Sequence, residues 1–458
     1  MKQKYWQVLP VGPTIFGDSP YQPSSGCAGN IYFIDLDKLV DEGLLEKEEI
    51  LGYNWGTDES EIDYAALHQN RCKILQKAFE RFDTNAQDFQ DFVKKQSEWL
   101  EQYALFMTLK TDNLYKNWSE WSSEYRNPQT VALEKYQKKN YNTITFWKFC
   151  QYKFFEQWED LKNYANSKGV YIIGDISFYV GYDSVDVWAE RQLFMMSAND
   201  TPEYVAAAGP DKYSESGQVW GNPMYDWDAM KEDNFSWWRK RMRVCRELFD
   251  IVRIDHFAGI VKAYAVPYGQ DKSLSGKWFK GPGRRLVNAI NEELEGVNVV
   301  ADDYTASLLP GVKKLLAKSG WMGTKVMMFA FDGDPTNEYL PHNYTDSHVV
   351  AYIGTHDNET IVGSFSDKTD YELAYMYEYL NIENKSQVPN ALIRELYHST
   401  AELAIVQMQD ILELGNEARM NYPSTVGHNW RWRMTSKPHR LDNEKIAWIR
   451  NIAVVYRR

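Results

Sequence analysis

The chain has 458 residues, 44% of them hydrophobic, and 51 Lys and Arg stand against 64 Asp and Glu, a formal net charge of −13. That length allows roughly three average domains or one large barrel with insertions, and the composition excludes a disordered chain. The acidic balance argues against a nucleic-acid partner, because phosphate binding needs a basic footprint. Cys27, Cys72, Cys150 and Cys245 are scattered with no C-x-x-C spacing, so buried free thiols are expected rather than a zinc site or redox pair. No apolar signal segment follows Met1 and no run is long enough to span a membrane, so a reducing cytoplasm is the expected compartment.

In chain order, Tyr5-Trp6-Gln7-Val8-Leu9-Pro10 reads as a strand, ended by Gly12-Pro13 and a Gly-Asp-Ser-Pro turn at 17–20. From about Leu39 to Lys162 the texture is helical, with apolar residues at helical spacing in Lys47–Leu51, Ala65–Phe82 and Phe89–Leu109. A strand is predicted near 169–175. A helix over Trp237–Phe249 then feeds a strand at 251–255, and one over Arg284–Leu294 feeds a strand at 298–302. Val312–Lys318 feeds a strand at 325–331. Next come a strand near 348–355, a helical block at 369–415 and a last strand near 418–423. Apolar strands alternating with helices mean a parallel sheet covered by helices. The predicted fold is an α/β, (β/α)8-type TIM barrel, with residues 1–38 starting the barrel, 39–163 a helical insertion subdomain and 164–458 the remainder. Seven strands are found where a closed barrel needs eight.

Several of these runs end in acid: Ile251–Ile254 runs into Asp255, Val297–Ala301 into Asp302-Asp303, and His348–Ile353 into Gly354-Thr355-His356-Asp357. A carboxylate is too costly to bury inside a strand unless paired, so its natural place is the strand end, facing a cleft. Carboxylates converging there point to glycosidic-bond chemistry, in which one attacks and another exchanges protons. The 17 Trp and 31 Tyr suit a cleft that stacks sugar rings, though most rings are core in any protein.

A longer series of motifs identifies the chain as similar to a family. They include Gly17-Asp18-Ser19-Pro20-Tyr21-Gln22, Asp183-Ser184-Val185-Asp186-Val187-Trp188 and Gly217-Gln218-Val219-Trp220-Gly221-Asn222-Pro223. Arg253-Ile254-Asp255-His256-Phe257, Gly354-Thr355-His356-Asp357-Asn358, Glu417-Ala418-Arg419-Met420-Asn421 and Asn429-Trp430-Arg431-Trp432-Arg433 continue it. Together they resemble the amylomaltases, the 4-α-glucanotransferases of glycoside hydrolase family 77, collinearly from residue 4 onward. The resemblance implies a retaining barrel enzyme, without cofactor or metal, that moves α-1,4-glucan segments between maltooligosaccharides. It implies Asp255 as nucleophile, Asp357 as the carboxylate stabilising the distorted transition state, and Arg253 as the cation orienting the nucleophile. His356, Asp183 and Trp220 would hold sugar and Tyr21 would line the cleft. Oligomeric state is not legible.

The chain departs from the family pattern mostly at the cleft. Where relatives read Ala-Glu-Asp-Leu-Gly, it reads Ala301-Asp302-Asp303-Tyr304-Thr305, so the acid/base is an aspartate one methylene shorter. Asp302 is the preferred occupant and Asp303 the alternative. A loop that grips acceptor glucan reads Gly209-Pro210-Asp211-Lys212-Tyr213-Ser214, Ala258 stands where Arg is common, and the first family strand is expected to be absent. A second reading is therefore a catalytically impaired or non-catalytic glucan-binding homologue. Taken alone, Asp175 and Asp332 read better as helix-capping acids. His256 and His356 lack metal-ligand spacing and read as hydrogen-bonding groups.

Overall fold

The computed structural model describes residues 1–15, 17–210, 215–303, 309–435 and 441–458. The strands, in chain order, are β1 (Tyr5–Val8), β2 (Tyr171–Ile176), β3 (Tyr204–Ala208), β4 (Gln218–Pro223), β5 (Ile251–Ile254) and β6 (Lys262–Pro267). They continue with β7 (Lys277–Lys280), β8 (Asn298–Ala301), β9 (Gly323–Val326), β10 (Val349–Tyr352) and β11 (Leu403–Ile405). Two parallel sheets, β1-β2-β5-β8 and β9-β10-β11, are joined by a parallel bridge between Val300 and Met322. The result is a (β/α) barrel wall whose seven strands lie in sequence order, as expected when each is followed by a right-handed crossover. β5, apolar but for Arg253, and apolar β10 are buried at every position, the mark of strands covered on both faces.

Two expectations need correction. The last wall strand is Leu403–Ile405 rather than 418–423, where Asn416–Ala418 form a 3-10 turn. The true strand is three residues long and lies inside the block read as helical, after the Val388–His398 helix. The strand expected at 325–331 ends at Val326, because Met327–Phe329 turn into a 3-10 helix. A separate antiparallel sheet, ordered β4-β3-β6-β7, was not anticipated. One of its two central strands, Tyr204-Val205-Ala206-Ala207-Ala208, is too rich in alanine to signal a strand.

The helical stretch includes Tyr64–Glu80, Ser97–Asp112 and the 27-residue helix Tyr141–Ser167. It does not stand apart. Leu75, Trp99, Phe106 and Phe154 share one apolar cluster with Ile172, Val252 and Ile254 of the barrel wall. Gly174 in β2 makes room for Phe249, whose ring meets Trp158 of the long helix edge-on at 6.0 Å, since a Cβ there would meet the Phe249 ring at 2.1 Å. Among the described residues no helix is long and apolar enough to cross a membrane.

Within the described wall, β1 and β11 are the edges. Tyr5 and Ile405 pack on the same interior cluster, and the Tyr352 hydroxyl donates to Gln7 Oε1 at 2.8 Å, so the two ends of the wall face a common interior. β5 has a bonded neighbour on each side, whereas β1 has one. Amide hydrogen exchange is therefore expected to be slower in Ile251–Ile254 than in Tyr5–Val8. Equal protection would mean that a further strand or a partner covers β1.

Candidate active site

Alternation along β5 turns Arg253 away from the face that Val252 and Ile254 present to the core. The register then sets its neighbours. Arg253 lies opposite Asp175 of β2 and opposite Val300 of β8, two residues before Asp302. A guanidinium that is 3% exposed must be paired to be tolerated, and here it is paired three times. Nη1 donates to Asp175 and lies 3.5 Å from Asp255 Oδ1, while Nη2 lies 3.1 Å from Asp302 Oδ1. Asp175, itself 1% exposed, also accepts from the Tyr21 hydroxyl at 2.7 Å.

One cation among three carboxylates leaves the cluster short of positive charge. Burial first, and then the neighbouring Asp302 carboxylate, push Asp255 well above the usual aspartate range, against the pull of Arg253. Burial also raises Asp175, opposed by Arg253. Burial disfavours the charge on Arg253, but Asp175 and Asp302 outweigh it and hold the guanidinium protonated. Like charges this close share protons and titrate as a set.

The structure separates the two adjacent acids after β8. Asp302 faces the cluster and also accepts the backbone N–H of His256 at 3.2 Å. Asp303 turns to the next strand, where its Oδ1 accepts from Thr324 N at 2.7 Å, and burial raises it to about 6. Tyr304 and Thr305, which complete the motif that set the register, lie outside the described residues, as do positions 211–214 of the acceptor-loop motif.

A second group sits at the end of β10. Asp357 Oδ1 accepts from Asn421 Nδ2 at 2.7 Å and lies 3.4 Å from His356 Nε2. The Asp357 carbonyl accepts from Arg419 Nη2 at 2.8 Å. Tyr21 joins the two groups. Its ring stacks on His356 with centroids 4.8 Å apart, and its hydroxyl lies 3.3 Å from His356 Nδ1 while donating to Asp175. Trp220, on β4, meets the His256 ring edge-on at 5.0 Å. Burial lowers His256 to about 4, so that imidazole is neutral at ordinary pH. His256 also has a φ of 50°, strain that aims its N–H at Asp302.

Tyr21, Arg253, Asp255, Asp302, His356 and Asp357 thus form one connected constellation, with Trp220 beside it. Asp183 lies elsewhere. Its carboxylate is held by Lys110 Nζ at 2.6 Å and Trp118 N at 3.2 Å, from the helical insertion. Sequence reasoning took Asp175, read alone, for a helix-capping acid, whereas it lies buried in a strand, where an acid demands a cation, and β5 supplies one in register. It also gave no role to Arg419, Asn421 and Trp430, whose motifs were visible.

The family model described as 4-alpha-glucanotransferase matches residues 1–438. The chain is similar to the 4-alpha-glucanotransferase of Clostridium butyricum, 40% identical over 461 residues covering 100% of this chain and 93% of the relative. It is 42% identical over 440 residues to that of Streptococcus pneumoniae, covering 95% and 86%. Among solved structures, the amylomaltase from Streptococcus agalactiae in complex with acarbose superposes with a TM-score of 0.93 at 36% identity, covering 100% of this chain and 92% of that one. With a match across almost its whole length and the strand-end carboxylates gathered on one buried arginine, the chain belongs to the 4-alpha-glucanotransferase family, glycoside hydrolase family 77.

Proposed function

We propose that this cleft transfers α-1,4-glucan segments between maltooligosaccharides by a retaining double displacement. The observation that carries the reading is the placement of Asp255 and Asp302 on the two Nη atoms of one guanidinium. Retaining enzymes keep their carboxyl groups about 5–5.5 Å apart, and inverting ones about 6.5–9.5 Å to admit a water. Two acids sharing one guanidinium suit the shorter spacing. Asp255 attacks the anomeric carbon and forms a C–O bond to it, as the glycosidic bond breaks and the leaving 4-oxygen takes the Asp302 proton. In the second half, Asp302 takes the proton of an acceptor's 4-hydroxyl, whose oxygen displaces Asp255 from the anomeric carbon. Asp357, anchored by Asn421, faces the charge that develops on the ring. Tyr21, His356 and Trp220 form the sugar-holding wall. Asp183, held by Lys110 and Trp118, is not part of that wall. The relatives above give no support to a non-catalytic reading.

Incubation with maltotriose tests the proposal. Glucose together with oligomers longer than maltotriose is the expected result. Glucose and maltose alone would make the protein a hydrolase, and unchanged maltotriose would remove the reading. The short acid arm adds a further expectation. Asp302 is drawn onto Arg253 and the His256 N–H, while proton transfer needs heavy atoms about 2.6–3.2 Å apart and 1 Å of misplacement can cost on the order of a hundredfold. Asp302→Glu should therefore raise the transfer rate and Asp303→Glu should not. The reverse pattern would reassign the acid/base.

A further inference from the structure

We propose that Tyr64, at the start of a helix in the helical insertion, is a positioning residue for the cleft and acts through the backbone of Trp430. The inference rests on the reading above that Tyr21 and His356 hold sugar. Trp430 has a φ of 66°, in the left-handed region. A bulky L-residue pays roughly 1–2 kcal/mol to sit there and stays only where its surroundings fix it. Two backbone restraints do so. Trp430 N donates to Met420 O at 2.7 Å, and Trp430 O accepts from the Tyr64 hydroxyl at 2.7 Å.

The insertion grips the residues that follow as well. Ile62 N donates to Arg431 O and Arg433 N to Ser60 O, both at 2.7 Å, around an antiparallel bridge between Glu61 and Trp432. Tyr64 opens a 17-residue helix whose Asp63 N-cap accepts from Ala66 N, so its hydroxyl is presented from a rigid element. Burial raises the phenol, which keeps it a donor across the working range.

The held Trp430 ring packs against two residues of the proposed sugar wall, 5.7 Å from the Tyr21 centroid and 5.7 Å from that of His356. Those two in turn touch Asp175 and Asp357. Among the described residues, Tyr64 reaches the reacting groups by this relay, Tyr64 to the Trp430 backbone, then ring to ring. The insertion is expected to set substrate affinity without touching substrate.

The test is the KM for maltotriose, measured below the unfolding transition. One lost hydrogen bond corresponds to roughly a 2–10-fold change, so Tyr64→Phe should raise KM by about that factor with a smaller change in kcat. A merely structural tyrosine would lower the folded fraction, and with it apparent kcat, and leave KM unchanged. Trp430→Ala should raise KM further, and adding Tyr64→Phe to it should change nothing more, because the relay is already cut. Additive effects, or an unchanged KM in Tyr64→Phe, would overturn the proposal. His356→Ala in the same assay separates the two levels. If it raises KM while Tyr64→Phe does not, this inference alone fails; if it leaves KM unchanged, the sugar-wall reading fails and takes this inference with it.

Discussion

Asp255→Asn is expected to abolish turnover of maltotriose, by on the order of 10⁴-fold or more, while the protein stays folded. The amide has nearly the same shape but lacks the anionic oxygen that forms the glycosyl ester. Folding should not suffer, because the wild-type site crowds Asp175, Asp255 and Asp302 around Arg253, and removing one charge relieves repulsion. The urea midpoint is therefore expected to stay put or rise. The same crowding makes a statement about pH. Asp255 must be ionised to attack, yet its pKa lies above the ordinary range, so kcat/KM should fall on the acid side at a pH well above about 3.9. Transfer by Asp255→Asn at the wild-type rate would end its assignment as nucleophile.

How far the sequence foretold this site depends on distance along the chain. Asp255 and Asp357 were legible because each follows an apolar run short enough to be a buried strand, and such runs mark their own ends. Asp175 was not. Its meaning comes from a register that pairs it with Arg253, 78 residues away, and no local pattern distinguishes it from a helix-capping acid. Asp183 shows the converse. Its motif resembled a sugar contact, while the partner that holds it, Lys110, lies 73 residues upstream in an insertion that sequence periodicity resolves only as helices. The last wall strand failed for a third reason. Leu403-Ala404-Ile405 is too short to show a period of two, and it follows a helix after only a few residues. Pairing with β10, through Val350 and Tyr352, makes it a strand.

Arg253→Met is expected to be the most destabilising single change in the barrel, by about 3–5 kcal/mol, because it leaves buried carboxylates without their cation. The side chain it replaces is 3% exposed, and Asp175 beside it is 1% exposed, so water cannot step in for the lost partner without opening the wall between β2 and β5. Two companion variants separate charge from geometry. Arg253→Lys keeps the charge but has a single nitrogen on a flexible stem, which cannot hold Asp175 on one arm and Asp302 on another. It should fold and transfer slowly. Adding Asp175→Asn to Arg253→Met removes the most deeply buried orphaned charge and should recover part of the lost stability, a coupling that independent residues would not show. Urea midpoints of the four proteins decide the matter. If Arg253→Met is as stable as the wild type, the guanidinium is not what holds the carboxylates in the wall. If the double variant is no more stable than Arg253→Met, Asp175 is not the charge it neutralises. The expected pattern would make the same arginine responsible both for allowing Asp175, Asp255 and Asp302 to gather and for keeping Asp255 available to attack.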